Sequence, residues 1–312
     1  MMVKVYKGKK MEEKIVATYN ELLMEWQVPF EERDIQTTYG STHVIVCGNP
    51  KGKPVMLFHG VGDDSALMWL YNMKAWVKDF RLFAIDTLGG PGKSRPNEKY
   101  NAQFEDVKWI DEIREKLHLN RVNLIGVSHG GYLAQYYNIV RHEWVDKAIC
   151  MAAAVPEDPK DKEEAKNRGM MKIMAKIFLP EALFPTKRNV EKLLNKLAGD
   201  HVTVFTKNPL ILAHYTYLLR GFNNMAMKYH RVGRFSDEEI ETIRMNSYYI
   251  AGEQDPFQIL GGRKTIMDHQ MNVCFMKHAG HGINHEEAEK VNQLVKDILL
   301  DKVQDLSACM ID

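Results

Sequence analysis

The chain has 312 residues, 45% of them hydrophobic, enough to bury one large mixed core plus an insertion. A formal charge of +1 gives no reason to expect a polyanion partner, and no RNA- or DNA-binding motif is present. No uncharged apolar run approaches a membrane span, and the start, with Lys4, Lys7, Lys9 and Lys10, lacks the apolar stretch of a secretory signal, so a soluble cytoplasmic protein is expected.

Residues 1–30 carry a helical stretch, with Ile15, Tyr19, Leu22, Leu23 and Trp26 spaced for one face. An antiparallel hairpin follows, with Tyr39-Gly40 or Gly40-Ser41 expected at its turn. Strands then recur at Val55 to Phe58, Leu82 to Ile85, Val122 to Val127, Lys147 to Ala152, Tyr248 to Ala251 and Val273 to Met276. Helical period is visible between them in Val107, Ile110, Ile113 and Leu117, and later in Val291, Leu294, Val295, Ile298 and Leu299. Alternation of this kind implies a mostly parallel sheet with helices on both faces, an α/β fold.

Residues 155–235 interrupt the alternation. A structureless loop of that length is improbable, so a helical cap is expected there, inserted between two core strands. This divides the chain into core 1–154, cap 155–235 and core 236–312, which resumes at the capping-box sequence Ser236-Asp237-Glu238-Glu239. In the cap, Met170, Met171, Met174, Ile177 and Phe178 form one apolar stripe, and Leu210, Leu212, His214, Tyr215, Tyr217, Leu218 and Leu219 form another. Both fit packing against the sheet, and also an adaptable pocket roof. The segment holds fifteen Lys or Arg against eight Asp or Glu, so it is basic over an acidic core. A solvated surface explains that division, with steering of acidic substrates as the alternative.

Gly126-Val127-Ser128-His129-Gly130 sits between the strand ending at Val127 and the helical spacing of Leu133, Tyr136, Tyr137 and Val140. It matches the G-x-S-x-G nucleophile elbow, in which a sharp reversal brings the flanking residues into near contact and demands glycine there. A nucleophilic serine needs a base, and the base needs an orienting acid, in the chain order Ser, Asp or Glu, His. Asp255 follows the strand ending at Gly252 and is the expected acid, with Glu253 and, one strand earlier, Glu157 or Asp158 as rivals. His281, in a glycine-flanked loop after the strand ending at Met276, is the expected base, with His278 and His285 as rivals. The expected oxyanion donors are the backbone amides of His129 and Val61, the latter in the loop after Phe58. His59 is read as a loop brace, and Asp63 and Asp64 as solvated loop residues that would repel anionic acyl groups if they faced the cleft.

Taken in order, His59-Gly60, Asp86 to Ser94, the Ser128 elbow, Gly252 to Asp255, and Gly280-His281 with Glu286 beyond resemble the α/β-hydrolase superfamily, specifically its capped, carboxylesterase-like members. The resemblance implies a Ser128, His281 and Asp255 triad with oxyanion amides from Val61 and His129. One departure is the glycine-rich Leu88-Gly89-Gly90-Pro91-Gly92 stretch, longer than the usual form.

The expected function is therefore hydrolysis of carboxylic esters of small, mainly apolar substrates through an acyl-enzyme on Ser128. Thioester, lactone or C-C bond hydrolysis by the same triad, or a weakly catalytic ligand-binding receptor, are the alternatives. A carboxylate nucleophile, as dehalogenases and epoxide hydrolases of this fold require, is not offered at the elbow. Cys47, Cys150 and Cys274 fall in strands and Cys309 in the tail, with no C-x-x-C spacing, and the twelve histidines show no H-E-x-x-H pattern, so neither metal nor cofactor is expected.

Overall fold

The computed structural model describes residues 2–155, 172–260, 262–303, 305–306 and 309–311. Its centre is a sheet in the order β1-β2-β4-β3-β6-β7-β8-β9-β10, with β5 added on β2. The strands are β1 (Phe30–Thr37), β2 (Gly40–Gly48), β3 (Lys53–Phe58), β4 (Phe80–Ile85), β5 (Arg95–Pro96), β6 (Val122–Val127), β7 (Val145–Met151), β8 (Ser247–Gly252), β9 (Asn272–Met276) and β10 (Cys309–Ile311). The pairings of β2 with β1, β4 and β5 are antiparallel; every pairing from β4 through β3 to β10 is parallel.

The central strands are apolar without interruption because both faces are covered. In β3, Val55 and Leu57 point into one cluster with Ile45, Leu82, Ile125, Trp69 and Trp76, while Met56 and Phe58 point into another with Phe83, Ile85, Leu124, Trp109 and Leu133. Helix α1 (Lys9–Glu25), the short α2 (Ser65–Met68) and α3 (Met73–Trp76), and the late α11 (Ile283–Glu286) and α12 (Ala288–Leu299) contribute to the first layer. Helices α4 (Asp106–Lys116), α5 (His129–Val140), α9 (Asp237–Ile243) and α10 (Gly262–Asp268) contribute to the second. The expected faces are the buried ones: Ile15, Tyr19, Leu22, Leu23 and Trp26 in and after α1, and Val107, Ile110, Ile113 and Leu117 in and after α4. Ser236 closes the expected capping box with Glu239 at the start of α9.

Between β7 and β8 the described residues form helices joined by turns and loops, and no sheet strand. Residues 172–178 are helical, followed by α6 (Lys187–Leu197), α7 (Thr203–Thr206) and α8 (Pro209–Gly221). Met170, Met171, Glu157 and Asp158 lie outside the described residues. Of the first apolar stripe, Ile177 is buried and Met174 is exposed; in the second, Leu212, His214 and Leu218 are buried. The N-terminal segment packs against this insertion as well as the sheet: Tyr6 bridges to Phe222, and a Cβ at Gly221 would lie 2.7 Å from Met11 Cβ.

Two local expectations need correction. The hairpin turn is Thr38-Tyr39, because Thr37 pairs with Gly40; Gly40 opens β2, where a Cβ would lie 2.2 Å from the Arg95 carbonyl of the crossing β5. Cys309 belongs to edge strand β10, which pairs in parallel with β9 at Cys274 to Met276, and not to an unpaired tail. Three residues were too short a signal to read as a strand.

Candidate active site

Because β6, β7, β8 and β9 are consecutive and parallel, the segments after Val127, Gly252 and Met276 emerge at one edge of the sheet, the usual place for a site in such folds. Ser128 stands between β6 and α5 with φ 56° and ψ −117°, a conformation costing an L-residue about 1–3 kcal/mol. The reversal is tight: a Cβ at Gly126 would meet the Gly130 carbonyl oxygen at 2.0 Å. Neighbouring backbone holds the serine in place, its amide donating to Met151 O at 2.9 Å and its carbonyl accepting from Ala154 N at 3.2 Å.

Asp255 and His281 meet directly, with Nδ1 2.9 Å from Asp255 Oδ2. The other carboxylate oxygen of Asp255 accepts the Phe257 amide at 2.8 Å, and the Phe257 ring lies edge-on against the His281 imidazole with centroids 4.5 Å apart. Burial disfavours the charged imidazole, but Asp255, with help from Glu286 and Asp63, overrides it and raises the His281 pKa above the ordinary value. The rivals are engaged elsewhere: Glu253 pairs with Arg263 at 2.6 Å, His278 with Asp200 at 2.7 Å, and buried His285 with the Leu67 carbonyl at 2.9 Å.

The loop after β3 touches the serine, since a Cβ at Gly60 would lie 3.3 Å from Ser128 Cβ. His59 is fully buried and spans this loop and the next. Its Nε2 accepts the Thr87 amide at 2.8 Å, so Nδ1 carries the proton and donates to the Gly60 carbonyl at 2.8 Å. Val61 is half exposed at the surface, whereas Asp63 and Asp64 are buried, not solvated as expected from the sequence. Burial, compounded by Asp64, pushes Asp63 up to about 7. His129 follows the serine with its imidazole buried, and burial pushes it down to about 3. Neither ring nitrogen has a hydrogen-bond partner among the described residues, and the ring packs against Tyr132 and His230. The glycine-rich stretch wraps Asp86, whose Oδ2 accepts the Lys93 amide at 2.7 Å and leaves no room for a Cβ at Gly92.

Glu286 was legible only as part of the resemblance, and its role emerges here. Its buried carboxyl accepts the amides of Gly280 at 3.1 Å and Gly282 at 3.1 Å, on either side of His281, and the amide of Gly199 from the insertion at 2.6 Å. The insertion also receives the His281 amide on the Leu197 carbonyl at 2.8 Å. Glu286→Ala should therefore leave three amide donors without their acceptor and lower stability on the order of 3 kcal/mol, read from urea unfolding midpoints. An unchanged midpoint would mean that water replaces the carboxylate at no cost.

The family model described as alpha/beta hydrolase fold matches residues 53–288. The chain belongs to the α/β-hydrolase fold family. It is 24% identical to the carboxylesterase YbfK of Bacillus subtilis (strain 168) over 288 residues, covering 90% of this chain and 92% of that protein. It is 28% identical to the uncharacterized carboxylesterase nap of the same organism over 286 residues, 89% of each chain. The crystal structure of YbfK superposes with a TM-score of 0.75 at 23% identity, covering 95% of this chain and all of that one. Among the described residues no helix is long and apolar enough to cross a membrane, and no group of three or more His, Cys, Asp or Glu is placed to hold a metal ion.

Proposed function

We propose that this α/β hydrolase is a serine carboxylesterase in which Ser128 is the nucleophile, His281 the base and acid, and Asp255 the residue that orients and charges-balances the imidazole. The observation that carries the reading is the Asp255–His281 bond at the sheet edge where Ser128 is held at positive φ. Similarity to two carboxylesterases over about nine-tenths of the chain supports the ester as substrate class.

In this reading Ser128 Oγ attacks the ester carbonyl as His281 takes its proton, and the amides of Val61 and His129 receive the oxyanion. His281 then protonates the leaving alcohol, and in the second half activates the water that releases the acid. Residues 155–235 act as a cap over the acyl site, with Phe178 and Phe257, ring centroids 6.4 Å apart, forming an apolar wall beside His281. Cys47 and Cys150 are buried free thiols, which fits a reducing compartment, and we place the enzyme in the cytoplasm.

The test is turnover of a panel of nitrophenyl esters beside matched thioesters and lactones. Short and medium acyl esters should give the highest kcat/KM, and preference for another class would overturn the substrate assignment. The pH profile follows from the base. His281 must be neutral to accept a proton, so kcat/KM is full above its raised pKa and falls as pH drops through it, with a midpoint above the ordinary histidine value. Glu253→Gln should leave this acid limb in place, whereas a shifted limb would return Glu253 to the site.

A further inference from the structure

Two consecutive residues of the loop after β3 are gripped by two consecutive residues of α8 in the insertion. His214 Nε2 lies 2.7 Å from Asp64 Oδ2, with neither side chain exposed at all, and the Tyr215 hydroxyl donates to Asp63 Oδ2 at 3.2 Å. On its other side His214 Nδ1 meets Thr18 Oγ1 of α1 at 2.7 Å. The second oxygen of Asp64 accepts the Leu67 amide at 3.1 Å, capping α2, and Asp63 Oδ1 accepts the Asp64 amide at 3.0 Å.

What lies between these anchors and Ser128 is loosely determined. Gly60 and Gly62 flank Val61 and have no side chains to pack, Gly62 at φ +76°; the Val61 side chain is 53% exposed. The turn closes on a single long backbone bond, Asp63 N to Gly60 O at 3.4 Å. His59 holds the start of the turn at the Gly60 carbonyl, and the carboxylates hold its far end from outside, so the placement of Val61 between them depends on both anchors. A buried hydrogen-bonded pair with both partners held on their far sides, His214 by Thr18 and Asp64 by the Leu67 amide, is suited to fixing position.

We propose that Asp64 and His214 are positioning residues, a clamp from the insertion that holds the Gly60 to Asp63 turn where the Val61 amide meets the developing oxyanion. The inference rests on the proposed role of Val61 and deepens it: the insertion helps form the oxyanion hole as well as roofing the site. An amide displaced by about 1 Å costs roughly 100-fold in rate, and does so in the transition state and not in substrate binding.

The experiment compares wild type, Asp64→Ala, Asp64→Asn and His214→Phe with a nitrophenyl ester, each concentration fixed by titrating Ser128 with a fluorophosphonate. In Asp64→Ala and His214→Phe, kcat per titrated site should fall about 10- to 100-fold with KM within threefold. Binding of a trifluoromethyl ketone, which becomes an oxyanion on Ser128, should weaken by the same factor as kcat/KM. Asp64→Asn keeps one oxygen for the Leu67 amide and turns its NH2 toward His214 Nε2, which can accept it in the Nδ1-protonated tautomer, and should recover part of kcat. His214→Phe leaves the α2 cap in place, so it decides the matter should Asp64→Ala fail to fold. A lowered melting temperature with full kcat per site and unchanged ketone affinity would assign the pair to stability alone and overturn the proposal. Its failure is separable from that of the triad: an active Ser128→Ala enzyme would refute the nucleophile, whereas an inactive Ser128→Ala beside a fully active His214→Phe refutes only the clamp.

Discussion

Ser128→Ala should abolish ester hydrolysis, lowering kcat by roughly 10⁴-fold or more while the protein melts at essentially the wild-type temperature. The rate loss is large because the acyl-enzyme cannot form, and the oxyanion amides and binding alone supply only a remnant of catalysis. Stability is spared because, among the described residues, the bonds that hold this position are backbone bonds. Ser128 N to Met151 O, Ala154 N to Ser128 O and Tyr132 N to Ser128 O all survive the loss of a hydroxyl. Alanine carries the same strain as serine at φ 56°; glycine does not. Ser128→Gly should thus be as inactive as Ser128→Ala and more stable by about 1 kcal/mol, a gain visible in parallel urea titrations.

Gly130→Ala should fail at the level of the fold. A Cβ there would stand 2.1 Å from the Phe58 carbonyl oxygen and 2.5 Å from its carbon, and Phe58 ends β3, which is locked between β4 and β6. Backbone on a central strand cannot give way as a side-chain tip can, so a loss of more than about 4 kcal/mol and a largely insoluble product are expected. The contrast is Gly8→Ala, where nothing lies within 4 Å and only the N-cap of α1 is touched, so the loss should stay within about 1 kcal/mol. A soluble, cooperative Gly130→Ala protein would show that α5 can slide away from β3, and the tight elbow geometry would have to be given up.

Patterns that depend on local chain geometry were legible. Period-2 burial is hidden in strands such as β3, but their unbroken apolar character and their spacing betray a parallel sheet, and G-x-S-x-G betrays the reversal at Ser128. Loop position is what favours Asp255 over Glu253 in the sequence, and the two side chains part in the fold: Glu253 is turned to Arg263 while the oxygens of Asp255 face His281 and Phe257. Long-range partners were not legible. Asp63 and Asp64 look like an ordinary solvated pair, because nothing nearby in sequence announces that His214 and Tyr215, about 150 positions later, will cover them. The role of Glu286 was hidden for a related reason, since a carboxylate that accepts backbone amides leaves no complementary side chain to find. The turn at Thr38-Tyr39 was misplaced because Gly40 looks like a turn residue, whereas its glycine is demanded by β5 passing over it.

The most direct measurement of the central claim is peptide mapping by mass spectrometry after treatment with a fluorophosphonate. One equivalent should attach at Ser128, with inactivation in step with labelling and with both rates falling as pH drops through the raised pKa of His281. Continued ester hydrolysis by a protein whose Ser128 is unlabelled, or a modification that maps to any other residue, would contradict it.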